Sequence, residues 1–402
     1  MPARIRALYF LYHFGFATLL CYFALYLREL GFHDSEVSFS QVVGVLLGGP
    51  AGIAWSVWGG HRAGPDKALR GAAAVSLLLT FLPLARTPLS VAAALVLYGF
   101  SFGAMLPLIE AVVLAYIRQQ GRGSFSRYRM FAAIGFASGA LVIGGLLARL
   151  GPGAAQWVVP LAFTASVVGT AAVALTLPAL PGAGTGSRFV GPWKLLGDRR
   201  IGVALVAFAL HQASCVPYYR LFGMFVADRA LPPTVTGIAT SVGVVAEVVA
   251  YALLPRLRVY LSRSVLLAGA FALTAFRWFA LSRAGTVWEV VALQLLQGAT
   301  FAVFWGNAVQ LFVRLVPSRM RSGGQALLSA VVFAGGDALG LSLAGLAAHR
   351  FSVSELFAVA AVLELVPLLL MVPLFRWTDS ATARAQPLRD LFGQETTHTG
   401  SV

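Results

Sequence analysis

Twelve apolar stretches, each of about 17–25 residues and closed by charges or a Pro/Gly turn, divide the chain. They run over roughly 6–27, 36–58, 70–85, 89–117, 129–149, 154–176, 200–227, 234–254, 263–282, 287–313, 322–347 and 353–375. At 1.5 Å per residue such lengths cross the hydrocarbon of a bilayer as helices. The pattern therefore predicts an all-α membrane protein with twelve transmembrane helices. Its longest internal polar interruption starts at Pro178-Ala-Leu-Pro-Gly-Ala-Gly-Thr-Gly and reaches Arg200, rich in Pro and Gly. That break predicts a six-helix half over 1–177, a linker over 178–199 and a second six-helix half over 200–378, followed by a polar tail, 379–402, with no core pattern and expected to be disordered. A short echo links the halves: Tyr98-Gly-Phe-Ser-Phe102 opens helix four much as Gln297-Gly-Ala-Thr-Phe301 opens helix ten.

Composition agrees with the pattern. The 402 residues are 58% hydrophobic and 11% charged, too few charges for a soluble body of this size. The net charge of +15 invites a nucleic-acid partner, but no basic run is long and the charges fall in short turns between apolar segments, so none is expected. Counting Lys and Arg in alternate loops gives about twenty-two on the side holding both termini and about six on the other, which places both termini in the cytoplasm. The first segment, preceded by Arg4 and Arg6 and followed by no small-residue cleavage site before Arg28, reads as an uncleaved helix of an inner-membrane protein. Cys21 and Cys215 lie inside apolar spans without metal spacing and read as packing residues.

No Walker pattern, metal-spaced His/Cys set or Gly-x-Ser-x-Gly elbow occurs, and Gly48-Gly-Pro-Ala-Gly52 suits close helix packing. The candidate chemistry is a set of polar groups at membrane depth, where an ionised side chain costs several kcal/mol unless water, a partner or a ligand meets it. Glu110 lies in helix four and His211, Gln212, Tyr218, Tyr219 and Arg220 in helix seven. Glu247 lies in helix eight, Arg277 in helix nine, and Gln294, Gln297, Trp305, Asn307 and Gln310 in helix ten; helices eleven and twelve carry Asp337 and Glu364. A buried carboxyl tuned by a nearby Arg is the minimum machinery for coupling to protons. Glu247 serves either that role or as a structural link between helices eight and nine. Counted from segment centres, Glu247 and Arg277 are offset axially by roughly 6–12 Å, which leaves a direct salt bridge open. Arg220 either holds an anion or snorkels to the membrane surface. Asp337 and Glu364 read as packing or gating groups, and His211 as a hydrogen-bonded core histidine.

Leu108-Ile-Glu110-Ala, followed by Ser126-Arg127-Tyr128-Arg129-Met130-Phe131 and then Gly135 and Gly139, resembles the helix four to five region of the lactose permease family of major facilitator carriers. The resemblance implies substrate contacts for Glu110 and Arg129, and roles in substrate binding and proton coupling for Glu247 and Arg277. Tyr218-Tyr219, Gly237, Ser241-x-Gly-Val-Val-Ala-Glu247 and Arg277-Trp278 look like the phenylpropionate transporter branch. Three departures stand out. Gln297 and Thr300 replace the titratable helix ten pair of the sugar permeases, the helix seven acids of those permeases are missing, with Arg220 nearby, and His61-Arg62-Ala63-Gly64 carries His where the facilitator signature has Asp. The implied protein is a monomeric alternating-access symporter that imports a small organic solute, aromatic or carboxylate-bearing, with protons and with no cofactor beyond the proton gradient. Glu247 and Arg277 would couple the proton; Glu110, Arg129, Arg220, Tyr219, Gln297 and Asn307 would hold the solute. The alternatives are an exporter of the same fold, a sugar or nucleoside symporter, or a membrane-embedded enzyme, for which the chain lacks a catalytic cluster.

Overall fold

The computed structural model describes residues 1–58, 64–120, 125–178, 192–317 and 320–382. The signature around His61 and most of the 178–199 linker lie outside the described residues. Twelve helical traverses follow in order. Those of the first half are α1 (Pro2–Glu29), α2 (Asp34–Trp58), α3 (Pro65–Leu84), α4 (Pro88–Gln120), α5 (Phe125–Leu150) and α6 (Ala155–Leu175). The second half comprises α7 (Arg199–Asp228), α8 (Thr234–Tyr260), α9 (Arg263–Arg283), α10 (Val287–Leu315), α11 (Gly323–Ala347) and α12 (Val353–Phe375). Eleven are long and apolar enough to cross a membrane, and α2, part of whose side chains are undescribed, is 25 residues long. An even number of traverses returns the chain to the face where it began, here called the terminal face. The helix after Glu364 continues to Thr382, so residues 379–382 of the polar tail are helical.

Local chemistry starts and breaks these helices. Thr286 with Glu289 and Ser352 with Glu355 form capping boxes that open α10 and α12 at the opposite face, which accounts for both acids without a functional role. The Asp198 carboxylate caps α7 and is held below the ordinary carboxylate range by its hydrogen bonds to Arg200. Within the membrane several helices are interrupted. Pro217 removes a backbone donor and α7 breaks at Cys215; Pro367 accompanies the break of α12 at Glu364. Helix α10 passes through a π-helical segment, Gly298–Val303, and α11 through another, Ala330–Gly336. Helix α4 breaks at Ser101 into a short 3₁₀ turn, Phe102–Ala104.

The echo between Tyr98-Gly and Gln297-Gly corresponds to equivalent packing. A Cβ on Gly99 would sit 2.7 Å from the Gly44 carbonyl oxygen of α2, and one on Gly298 would sit 2.5 Å from the Ala246 carbonyl oxygen of α8. In each half the fourth helix thus crosses the second with backbone against backbone, just where it becomes irregular.

The halves meet most closely toward the opposite face. Cβ atoms on Gly223 and Gly237 would lie 2.6 Å from the Cys21 carbonyl oxygen and 2.5 Å from that of Ala140. The Arg28 guanidinium completes the seal by binding Asp34 of its own half at 2.6 Å and Asp228 of the other. Substituting Gly237→Ala should lower the thermal stability of the purified protein by about 1–3 kcal/mol through overpacking. Gly269→Ala, at an exposed position of α9 with nothing within 4 Å, should leave it unchanged or raise it by up to about 1 kcal/mol. Equal melting shifts for the two would contradict this account.

Candidate functional site

Arg277 is fully buried on α9. Its charge is met by neutral oxygens. One terminal nitrogen donates to the Gln297 Oε1 and, at 2.9 Å, to the Thr300 hydroxyl; the other donates to the Gln294 Oε1. Its guanidinium also lies 4.5 Å from the Tyr218 ring centre and 4.7 Å from that of Trp278, within cation–π range. Gln294, Gln297 and Thr300 converge because α10 changes winding here, passing from a 3₁₀ turn at Leu293–Leu296 into the π segment.

Glu247 does not touch Arg277; Gln297 stands between them. The Gln297 Nε2 donates to Glu247 Oε1 at 2.8 Å and to the Tyr219 hydroxyl at 2.9 Å, while its Oε1 faces the guanidinium. An amide suits this position because it offers an acceptor to the cation and donors to the carboxylate. A carboxylate at 297 would place two anions side by side. Glu247 itself is only partly buried, and Gly243, one turn before it, lets the Tyr218 hydroxyl and the Gln297 side chain approach α8.

Arg220 and Asp337 form a second unit. The guanidinium donates to Asp337 Oδ2 at 2.5 Å, and Gln212 Nε2 donates to Oδ1 at 2.7 Å. Gln212 precedes the α7 break and Arg220 follows it, so one carboxylate on α11 straps both sides of the break. This is a larger part than the packing or gating role expected for Asp337, and it settles where Arg220 goes: inward, not to the membrane surface. Glu364 forms a third unit with His211, whose Nδ1 is 2.6 Å away; the Ser214 hydroxyl donates to its other oxygen, and both ionisable groups are essentially inaccessible.

The first half contributes Glu110 and Arg129, 3.6 Å apart, with side chains 31% and 63% exposed. Tyr251 of α8 lies near both Glu247 and Arg129, and Tyr98 of α4 near Arg220. Of the eight residues singled out from sequence, Arg277, Gln297, Glu247 and Tyr219 are joined by hydrogen bonds, Glu110 and Arg129 pair with each other, and Arg220 pairs with Asp337. Asn307 stands apart from all of these. Its side chain is buried between the Val303 carbonyl, to which it donates, and Arg258, from which it accepts at 3.1 Å. The sequence reading missed the acceptor role of Thr300 and the strap made by Asp337. The spacing of Gln294, Gln297 and Thr300 was the available signal for the first.

Removing one member of a buried ion pair leaves the other uncompensated. Asp337→Ala should destabilise the protein by about 3 kcal/mol, and adding Arg220→Met should recover most of that loss. Additive melting shifts in this double-mutant cycle would rule out the strap.

The sequence is 26% identical over 381 residues to a maltose permease of Geobacillus stearothermophilus, covering 90% of this chain and 92% of that protein. The fold superimposes on the nucleoside transporter NupG with a TM-score of 0.82 at 14% identity, over 93% of this chain and 98% of that one. It superimposes on the peptide-transporter-family protein PepTSo with a TM-score of 0.71 at 11% identity, over 96% and 98%. The model of the MFS_1 like family matches residues 3–359, so this chain belongs to that family and is a multi-pass membrane transporter of the major facilitator type.

Proposed function

We propose that the protein is a proton-coupled symporter of the inner membrane, with both termini in the cytoplasm. It imports a small organic solute bearing a carboxylate or an aromatic ring and works as a monomer. The observation that carries this reading is the Arg277–Gln297–Glu247 relay, which holds a carboxylate beside a buried cation without neutralising it by direct contact. Adding a proton to Glu247 removes a charge that an occluded, water-poor chamber would otherwise have to bury. The relay also couples proton to solute: a ligand that recruits the Gln297 amide or the Tyr219 hydroxyl alters the hydrogen bonding of Glu247 in the same step. Arg129, with most of its side chain exposed, and Arg220, partnered through one oxygen of Asp337, are the cations available to an anionic solute. Glu110 faces the same space.

With the opposite face sealed by the glycine crossings and by Arg28, solute is released toward the terminal face, which the excess of Lys and Arg assigns to the cytoplasm. Reopening to the other side requires the same two halves to rock about the α2–α11 and α5–α8 contacts.

A second reading, a sugar or nucleoside symporter, is favoured by one observation: both terminal nitrogens of Arg277 already donate to neutral side chains and its Nε, though unpartnered, is buried, so little of the most deeply buried cation is left for an anion. The names of the maltose permease and of NupG point the same way.

Two measurements test these readings. Glu247→Gln reconstituted into liposomes should lose accumulation driven by a proton gradient while keeping solute exchange; an unchanged uptake gradient would sink the proton role. Melting curves with aromatic carboxylates, nucleosides and disaccharides should show stabilisation by a carboxylate, with RT ln(1 + [L]/Kd) setting its size. That shift should vanish in Arg220→Ala. Stabilisation by a nucleoside or sugar that survives Arg220→Ala would select the second reading.

A further inference from the structure

We propose that the terminal-face ends of α8, α9 and α10 bind the phosphate of an anionic phospholipid headgroup, clasped by Arg258, Arg263 and Arg314. These three residues come from three different helices, and both Arg258 and Arg314 lie close enough to Arg263 to repel it. Arg258 and Arg263 are half-buried, where like charges repel more strongly than in water. The side chains are nevertheless pinned in place. Arg258 Nε donates to Asn307 Oδ1 at 3.1 Å and its terminal nitrogen to the Gly306 carbonyl at 2.7 Å; Arg263 Nε donates to Gln310 Oε1 at 3.2 Å.

All of those partners are neutral. From Pro255 to Gly336 the sequence holds one carboxylate, Glu289, and it caps α10 at the opposite face. The other acid on these helices, Glu247, is held by Gln297 about three turns away from Arg258. Among the described residues no Asp or Glu lies within 4.0 Å of Arg258, Arg263 or Arg314, whereas Arg28, Arg129, Arg200 and Arg220 each face one. Two fixed guanidiniums, with the exposed Arg314 beside them, form a preorganised site for an oxyanion, and the guanidinium fork fits the oxygens of a phosphate.

The setting identifies the source of the phosphate. Val259 and Tyr260, next to Arg258, are 76% and 84% exposed, and Leu257, Leu261 and Val265 continue the exposed apolar surface into the membrane span. A phosphate here comes with room for acyl chains alongside it, and Tyr260 has the amphipathic ring that favours the headgroup level. The sequence reserves space for the clasp as well. A Cβ on Gly306 would lie 2.6 Å from Leu254 Cδ2, and Gly306 carries the carbonyl that Arg258 grips. Asn307, which the transport site leaves aside, thus acquires a role as the residue that aims Arg258.

The test uses the full chain purified in a zwitterionic detergent, with melting temperature and native mass spectrometry read against added phosphatidylglycerol, cardiolipin, phosphatidylcholine and inorganic phosphate. The two anionic lipids should raise the melting temperature by several degrees and remain bound, whereas phosphatidylcholine should do neither. Each guanidinium near the surface contributes a factor of about five in affinity, so Arg263→Gln with Arg314→Gln should weaken the anionic-lipid effect roughly 25-fold. Arg118→Gln with Arg127→Gln removes the same net charge from the terminal face of the other half and should leave the effect intact. Equal loss in both double variants would reduce the site to diffuse surface charge and overturn the proposal. So would equal stabilisation by phosphatidylcholine, or stabilisation by inorganic phosphate with none from phosphatidylglycerol.

Discussion

The positive charge of Arg277 at the centre of the bundle is the constraint around which the second half is arranged. A guanidinium in hydrocarbon is costly unless its donors are met; the terminal nitrogens are met here by Gln294, Gln297 and Thr300, three residues apart along α10 where its winding is irregular. The aromatic faces of Tyr218 and Trp278 cover the cation. Trp278 in turn donates to the Ser214 hydroxyl at 3.4 Å, and Ser214 donates to Glu364, so the buried guanidinium and the buried His211–Glu364 pair share one wall.

A common rule runs through these units: ionisable or amide groups sit where a helix departs from regular winding. Gln297 comes just before a π segment and Asp337 just after one; Glu364 lies at the break of α12, and Gln212 and Ser214 beside that of α7. Irregular backbone at membrane depth leaves carbonyls and amides to be satisfied, and a helix broken there has two segments that can pivot. The same places thus supply polarity and movement, the two properties that alternating access demands.

Much of this was legible in the sequence. Apolar run lengths, loop charges and the Pro/Gly break specified twelve helices in two sets, and polar residues stranded in apolar spans flagged Glu247, Arg277, Arg220 and Glu110. Pairing was not legible. Asp337 is more than a hundred residues from Arg220, and nothing in its own segment shows that it bridges a break in α7. Gln297 looked like the loss of a titratable group; only its position between Glu247 and Arg277 shows why an amide is suited there. Asn307 is expected from the sequence to hold the solute, yet its partner is Arg258 at the terminal-face end of α8. In each case the deciding information is which helix faces which, a property of packing between segments distant in the chain.

The glycine crossings at the opposite face have a further implication for how tightly the carrier shuts. Backbone seated on backbone at Gly223 and Gly237 makes a contact of shape, and such a contact is indifferent to ionic strength, unlike the Arg28 clasp beside it. A carrier fastened in both ways would keep its barrier to ion leakage in brine as well as in dilute medium, with the charges left to influence how often the door opens rather than how well it seals.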